Sequence, residues 1–286
     1  MNKIKIIVDS TCDLNKEELT NYDIPVLPLY VSFSDEVFLD GDIDLETLYK
    51  KVEEKNELPK TSARNPGDYI ELYTKYIEEG YDILSFTISS HMSSTYQSAQ
   101  VAAESVDPER IKVIDSQNLS SGIGLLILKA CKLREEGKSL NEIFNTITDL
   151  IPNVRSQFAV ETLEYLHKGG RCSSVKSLVG RLLRMHPVIA VRKGKMDVFK
   201  YPLGKSVKGW NAVLETLVDD MKEYEIDLDH IMITHSIAPE GAAYLKEKLS
   251  EIVPPSCIME TKAGCVISTH CGAGTIGILY ILGKKK

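Results

Sequence analysis

The sequence predicts an α/β protein of two domains: an N-terminal domain built on a parallel sheet, and a C-terminal α+β domain with a mixed or antiparallel sheet. Three observations lead there. The chain has 286 residues, more than one average domain. In its first half, short apolar runs alternate with helical patterns, the order that builds a parallel sheet with helices on both faces. In its second half, several strand-like runs follow one another, and Gly194 fits a tight hairpin between Val191 and Met196.

The elements follow in order. Residues 4–8 read as a first strand and not as a secretory leader. A helix at 15–20 and a strand at 26–33 come next, then a helix at 45–55. Pro59 ends that stretch, leaving Thr61 and Ser62 in a loop. Asn65 or Asp68 can start a helix at 68–79 that buries Tyr69, Leu72, Tyr73 and Tyr76. Strands at 83–88 and 111–114 flank a helix at 95–104, and helices at 121–136 and 140–150 complete the half. Pro152 breaks the last helix, so the boundary falls in 151–156 and the domains are 1–155 and 156–286. Beyond it, strands are expected at 157–160, 188–191, 195–201, 231–235, 256–261 and 266–269, with helices at 210–224 and 238–251. Val8-Asp9-Ser10 and Ile114-Asp115-Ser116 end two strands alike, placing polar groups at the carboxyl edge where open parallel sheets bind ligands. Asp and Ser also simply start turns.

Composition narrows the function. Apolar residues make up 43%, enough to bury real cores. Net charge is -7, and the terminal Lys284-Lys285-Lys286 is the sole basic run, which argues against nucleic acid as a partner. The six cysteines form no C-x-x-C pair, so reduced thiols in a cytoplasmic protein are expected. The apolar run 123–128 is far too short to cross a membrane, and no stable membrane insertion is expected. There is no H-E-x-x-H and no cysteine cluster, so no metal is expected.

Chemistry concentrates in three segments. In the turn after the strand at 83–88, Ser89, Ser90, Ser93, Ser94 and Thr95 crowd a helix start. Unpaired N–H groups there attract an anion, and hydroxyls add donors. No Lys or Arg lies in the turn, which favours a carboxylate over a polyphosphate. The plainer reading is that Ser93 or Ser94 caps the helix. Thr61-Ser62 sits before a second helix. His270 sits where an apolar strand gives way to Gly272 and Gly274, leaving its ring accessible and the backbone free to approach a ligand. The run from Gly272 to Gly277 matches G-x-G-x-x-G, but only nine residues follow it, too few to complete a βαβ unit. Ser93 and His270, oriented by Asp9 or Asp115, would make a hydrolase pair for a small ester or carboxylate, although no G-x-S-x-G elbow is present.

The three segments together resemble the DegV family of bacterial fatty-acid-binding proteins, over nearly the whole chain. Matching stretches are Ile7-Val8-Asp9-Ser10-Thr11-Cys12-Asp13-Leu14, then Ile24-Pro25-Val26-Leu27-Pro28-Leu29, Thr61-Ser62, and residues 89–96 against the family's Ser-Ser-x-x-Ser-Gly-Thr-Tyr. Leu163-Glu164-Tyr165-Leu166-His167-Lys168-Gly169-Gly170-Arg171 and Pro187-Val188-Ile189 continue it. There are departures. Ser94 stands where the family has Gly, His270-Cys271-Gly272-Ala273-Gly274 lacks the family's Pro, and Lys208 lies where an Arg is usual. A Lys cannot form the planar two-pronged contact of Arg.

The resemblance implies a carrier, not an enzyme, that takes a long-chain fatty acid into an apolar tunnel. Burying about 15 methylenes at about 0.8 kcal/mol each gives about 12 kcal/mol before ordering costs. It implies a carboxylate held by Thr61, Ser93 and His270, with Ser62, Ser94 and Gly272 close by. It also implies presentation of that carboxylate to a separate ATP-dependent fatty acid kinase, with Arg171 and Lys208 nearest the incoming phosphoryl group. The chain has no phosphate loop of its own, so no cofactor is expected.

Overall fold

The computed structural model describes residues 3–172, 174–175 and 185–286. The first half opens with β1 (Lys3–Asp9), α1 (Lys16–Asn21), β2 (Val26–Leu27), β3 (Tyr30–Ser32) and β4 (Val37–Leu39). It continues with α2 (Leu45–Lys55), β5 (Lys60–Ser62), α3 (Pro66–Glu78), β6 (Tyr81–Thr87) and α4 (Thr95–Val106), and ends with β7 (Ile111–Asp115), α5 (Ser121–Glu135) and α6 (Leu140–Leu150). Strands β2, β1, β6 and β7 form, in that order, an all-parallel sheet, with Val8 opposite Val26, Ile6 opposite Leu84 and Ser85 opposite Val113. The α3 start carries the reciprocal cap its sequence allows: Asn65 accepts from Asp68 N while Asp68 accepts from Asn65 N.

The second half holds β8 (Val154–Ala159), α7 (Glu164–Gly169), β9 (Val188–Arg192), β10 (Lys195–Lys200), α8 (Ser206–Glu223) and β11 (Tyr224–Ile226). It closes with β12 (Ile231–Ser236), α9 (Pro239–Ser250), β13 (Ile258–Lys262), α10 (Cys265–Cys271) and β14 (Thr275–Lys285). These strands make a mixed sheet in the order β10-β9-β8-β14-β12-β13, with β11 on β14. Only the β12–β13 pairing in it is parallel. The expected α/β class and its two kinds of sheet are therefore present. One apolar cluster, including Ile6, Leu84, Ile123, Leu126, Phe158 and Leu279, joins the two sheets through α5. A second, with Val213, Leu217, Leu245 and Ile278, lies under α8 and α9.

Several expectations need correction. The run at 26–33 is two strands, because Pro28 breaks it: β2 joins the parallel sheet, while β3 turns away into a small antiparallel sheet, β4-β3-β5. Thr61 and Ser62, expected in a loop, lie in β5 opposite Val31 and Tyr30. Residues 266–269, expected as a strand on their β-branched content, lie in the helix α10. Two carboxylates distant in sequence supply its cap: Asp13 Oδ1 accepts from Gly264 N at 2.8 Å and Asp40 Oδ1 from Cys265 N at 2.8 Å. The strand that follows, β14, is central to the second sheet and was not anticipated. Its glycine-rich start masked the run from Ile276 to Leu282, all of which is buried.

Candidate functional site

The site assembles where the small β4-β3-β5 sheet meets α10. Thr61 projects from β5, and His270 from the last turn of α10. Thr61 Oγ1 and His270 Nε2 are 2.7 Å apart, a hydrogen bond between residues 209 apart in sequence. His270 Nδ1 is buried and has no partner among the described residues. The ring rests against Gly169, the last residue of α7, where a Cβ would overlap Nδ1. Burial, with the Arg171 guanidinium nearby adding to it, pushes His270 down to about 4, so the imidazole is neutral at ordinary pH.

Arg171 ties this corner together. Its Nη1 donates to Gly169 O at 2.7 Å and its Nε to Met92 O at 3.3 Å, so one side chain spans the Gly-Gly-Arg turn and the serine-rich turn. Ser93 also faces the site. Its Oγ lies 2.8 Å from Thr95 Oγ1 and accepts from Thr95 N at 3.3 Å, so it closes a local turn and its hydroxyl also lines the cavity. The turn is fixed from beneath, because the buried Asp9 Oδ2 accepts from Ile88 N at 2.8 Å and Ser89 Oγ donates to Gly194 O at 2.8 Å.

Behind these groups lies a cavity. Its polar lining includes Thr61, Ser62, Ser93, Arg171 and His270, and Leu29, Met92, Phe158, Met196 and Leu279 are among its apolar walls. The space enclosed, including the portion open to solvent, is about 840 Å³. A largely apolar cavity lined by several hydroxyls and a neutral imidazole suits an amphipathic ligand with an acidic head.

The remaining expected residues are placed less centrally. Ser94 stands at the start of α4 with its side chain exposed and makes no capping bond. Gly272, with φ of +82°, packs against the Tyr165 ring and lies outside the cavity lining. Lys208 is exposed on α8, also outside the lining. The hydrolase arrangement is not assembled: Ser93 bonds Thr95, His270 bonds Thr61, Asp9 accepts from Thr11 and Ile88, and Asp115 accepts from Ser90. Among the described residues no group of three or more His, Cys, Asp or Glu side chains is placed to hold a metal ion. No helix among them is long and apolar enough to cross a membrane.

Sequence reading missed Ser120, which lines the cavity with a backbone φ of +54° at the start of α5 and donates to the buried Asp13. It also missed Asp40. Neither position carries a local signal, because each acts through a partner far away in the chain.

Comparison with known proteins identifies the family. A family model described as uncharacterised protein, DegV family, matches residues 3–283. A DegV domain-containing protein of Clostridium acetobutylicum is 38% identical over 282 residues, covering 98% of this chain and 99% of the relative. A protein of Thermotoga maritima described as a fatty acid-binding protein is 30% identical over 300 residues, covering 99% and 100%. Among solved structures, a DegV family protein from Thermus thermophilus described for fatty acid binding superposes with a TM-score of 0.91 at 30% identity, covering 98% and 100%. DegV from Bacillus subtilis, described as a fatty acid binding protein, gives 0.86 at 30% identity, covering 99% and 100%.

Proposed function

The chain belongs to the DegV family, and from that premise we propose that it binds a long-chain fatty acid, with the carboxylate at Thr61, Ser93 and His270 and the acyl chain in the apolar cavity. The observation that carries this reading is the Thr61–His270 hydrogen bond on the lining of that cavity. When the neutral ring donates Nε2–H to Thr61 Oγ1, the Thr61 hydroxyl hydrogen is left to point at an incoming carboxylate. His270 then orients the donor, and Ser93 supplies a second hydroxyl from the facing turn. Ser62, on the adjacent lining, is an auxiliary donor; Ser94 and Gly272 shape the two turns from outside it.

A carboxylate drawn into such a site must be hydrogen-bonded, because burying it bare would cost many kcal/mol. Arg171 adds the one guanidinium of the lining among the described residues. It is exposed on its outer side, so it can also face a partner. We place the division of the chain at 155/156, with the ligand gripped between residues of both parts. In this reading the carboxylate is presented to a separate fatty acid kinase, with Arg171 the lining residue that reaches the surface. Lys208, outside the cavity, belongs in this reading to the partner face. Six free, buried cysteines fit a reducing compartment, the cytoplasm.

Native mass spectrometry of protein purified without added lipid tests the reading. A mass increment matching a long-chain fatty acid, removed by delipidation and restored by added oleate, is the expected result. Delipidated protein that takes up no oleate would overturn it.

A further inference from the structure

We propose that Asp40 is a positioning residue for the carboxylate site: it anchors the start of α10 to the same small sheet that carries Thr61, and so sets where His270 meets Thr61. What the site binds rests on the reading above; the anchoring does not depend on a ligand.

The geometry starts from a weakness in the sequence. Helix α10 has seven residues, too few to persist without tertiary support. Its capping position is Gly264, which has no side chain with which to accept the first N–H groups. Those groups are taken up from a distance. Asp40 Oδ1 accepts from Cys265 N at 2.8 Å and from Val266 N at 3.3 Å, and Asp13 Oδ1 accepts from Gly264 N at 2.8 Å. Asp40 is itself fixed, since it follows β4 directly and its N–H donates to Leu29 O at 2.8 Å.

At its other end α10 is held by the His270–Thr61 bond. Val31 of β3 lies opposite Phe38 of β4 on one side and Thr61 of β5 on the other. One three-stranded sheet therefore grips α10 at both ends, by a carboxylate at the first turn and a hydroxyl at the last. Between the two grips, Cys265 and Val266 pack with Leu29, Val31, Phe33 and Leu48. Loosening the first grip frees the helix to tilt or slide, and His270 moves with it.

The grip is also charge-dependent. Burial lifts Asp40 to about 6, and Asp9 pushes the same way against the Ser10 hydroxyl and the two N–H groups. The other titratable groups facing this end among the described residues are Asp13, raised further by burial, the Cys265 thiol, pushed up to about 12, and Asp44, held below the usual carboxylate range by its hydrogen bonds from Thr47. At the far end His270 sits at about 4 and Cys271 at about 12, with Arg171 nearby. Neither His270 nor the two thiols change charge between about pH 5 and about pH 7.5. Protonating Asp40 converts a charge-assisted acceptor into a neutral one, roughly halving the strength of its bonds. The α10 grip therefore weakens as the pH falls through the Asp40 value.

The test is imidazole nitrogen NMR of His270 in ligand-free protein from about pH 5 to about pH 7.5, assigned with His270→Gln and run beside thermal melts. Wild type is expected to show a step in the His270 resonances near the Asp40 value. Asp40→Asn, which keeps an acceptor and loses the charge, is expected to show none. Asp40→Ala is expected to lose the Thr61-bonded signature at every pH and to bind oleate at least about tenfold more weakly. Identical His270 resonances in wild type and Asp40→Ala would overturn the proposal. So would a step that persists in Asp40→Asn, because it would then come from another group such as Asp13. If Asp40→Ala does not fold, the isosteric Asp40→Asn carries the decision. Resonances that respond as expected in a protein that takes up no oleate would sustain the anchoring and remove the fatty-acid reading instead.

Discussion

The His270 ring approaches the backbone of Gly169 through Nδ1, so closely that a Cβ on residue 169 would overlap that atom. Gly169 is not at a positive φ, unlike its neighbour Gly170 at +68°, which meets nothing within 4 Å of a built Cβ. Two adjacent glycines thus serve different ends: the first admits the imidazole and the second turns the chain.

That difference gives a paired prediction. Gly169→Ala should displace His270 and weaken oleate binding about tenfold or more, with little loss of thermal stability. Gly170→Ala should cost about 1–2 kcal/mol of stability through its left-handed backbone and leave the affinity nearly unchanged. Calorimetric titration and thermal melts of both variants check this, and a reversed pattern would place the His270 contact elsewhere.

Ser93→Ala and Thr61→Val probe the head group directly. Losing one hydrogen bond to a charged group costs about 1.5–3 kcal/mol, so Ser93→Ala should weaken binding by about tenfold to about a hundredfold. Thr61→Val should weaken it at least as much, because it also strands His270 Nε2 in a buried place. Oleate binding by Ser93→Ala at wild-type strength would reduce Ser93 to its local role of closing the turn onto Thr95.

How far the sequence spoke for itself can be read at these same residues. The parallel sheet was legible because β1, β6 and β7 are short, mainly apolar runs separated by helical patterns. The serine-rich turn, Thr61 and His270 were legible as polar groups at element ends. Their meeting was not, since Thr61 and His270 lie 209 residues apart and no local pattern encodes the pairing. The helical state of α10 was hidden for the same reason. Val266, Ile267 and Thr269 favour a strand on propensity, and the caps that override it come from Asp13 and Asp40. Pro28, by contrast, announced its break, and the continuous strand expected at 26–33 passed over it.

Arg171 and Lys208 should separate on mutation. Arg171 lines the cavity and bonds the carbonyls of Met92 and Gly169, so Arg171→Ala should lower oleate affinity several-fold by loosening both turns. Lys208 is exposed on α8 and lines nothing, so Lys208→Ala should leave oleate affinity within about twofold of wild type, the usual scale for an exposed charge. A large loss in Lys208→Ala would mean that the cavity reaches α8 in the bound state.

The last prediction concerns acid stability. His270 ordinarily titrates at 6.5, and burial with the Arg171 charge holds it at about 4 in the folded protein. The folded value is depressed, so the neutral ring's contribution to stability is fully present above the unfolded value. It is lost as the pH falls, beginning below about 6.5 and complete below about 4. A shift of this size corresponds to about 3 kcal/mol. Asp13 and Asp40 act in the opposite sense, because burial raises them and protonation then favours the folded form. The His270 share is therefore isolated as a difference: wild type should lose about 3 kcal/mol more than His270→Gln between about pH 6.5 and about pH 4 in urea titrations. Parallel curves for the two proteins would mean that the imidazole is reached by water in the ligand-free state. The ring would then titrate close to its ordinary value, and a bound carboxylate would meet an imidazolium rather than the neutral Thr61-directed donor.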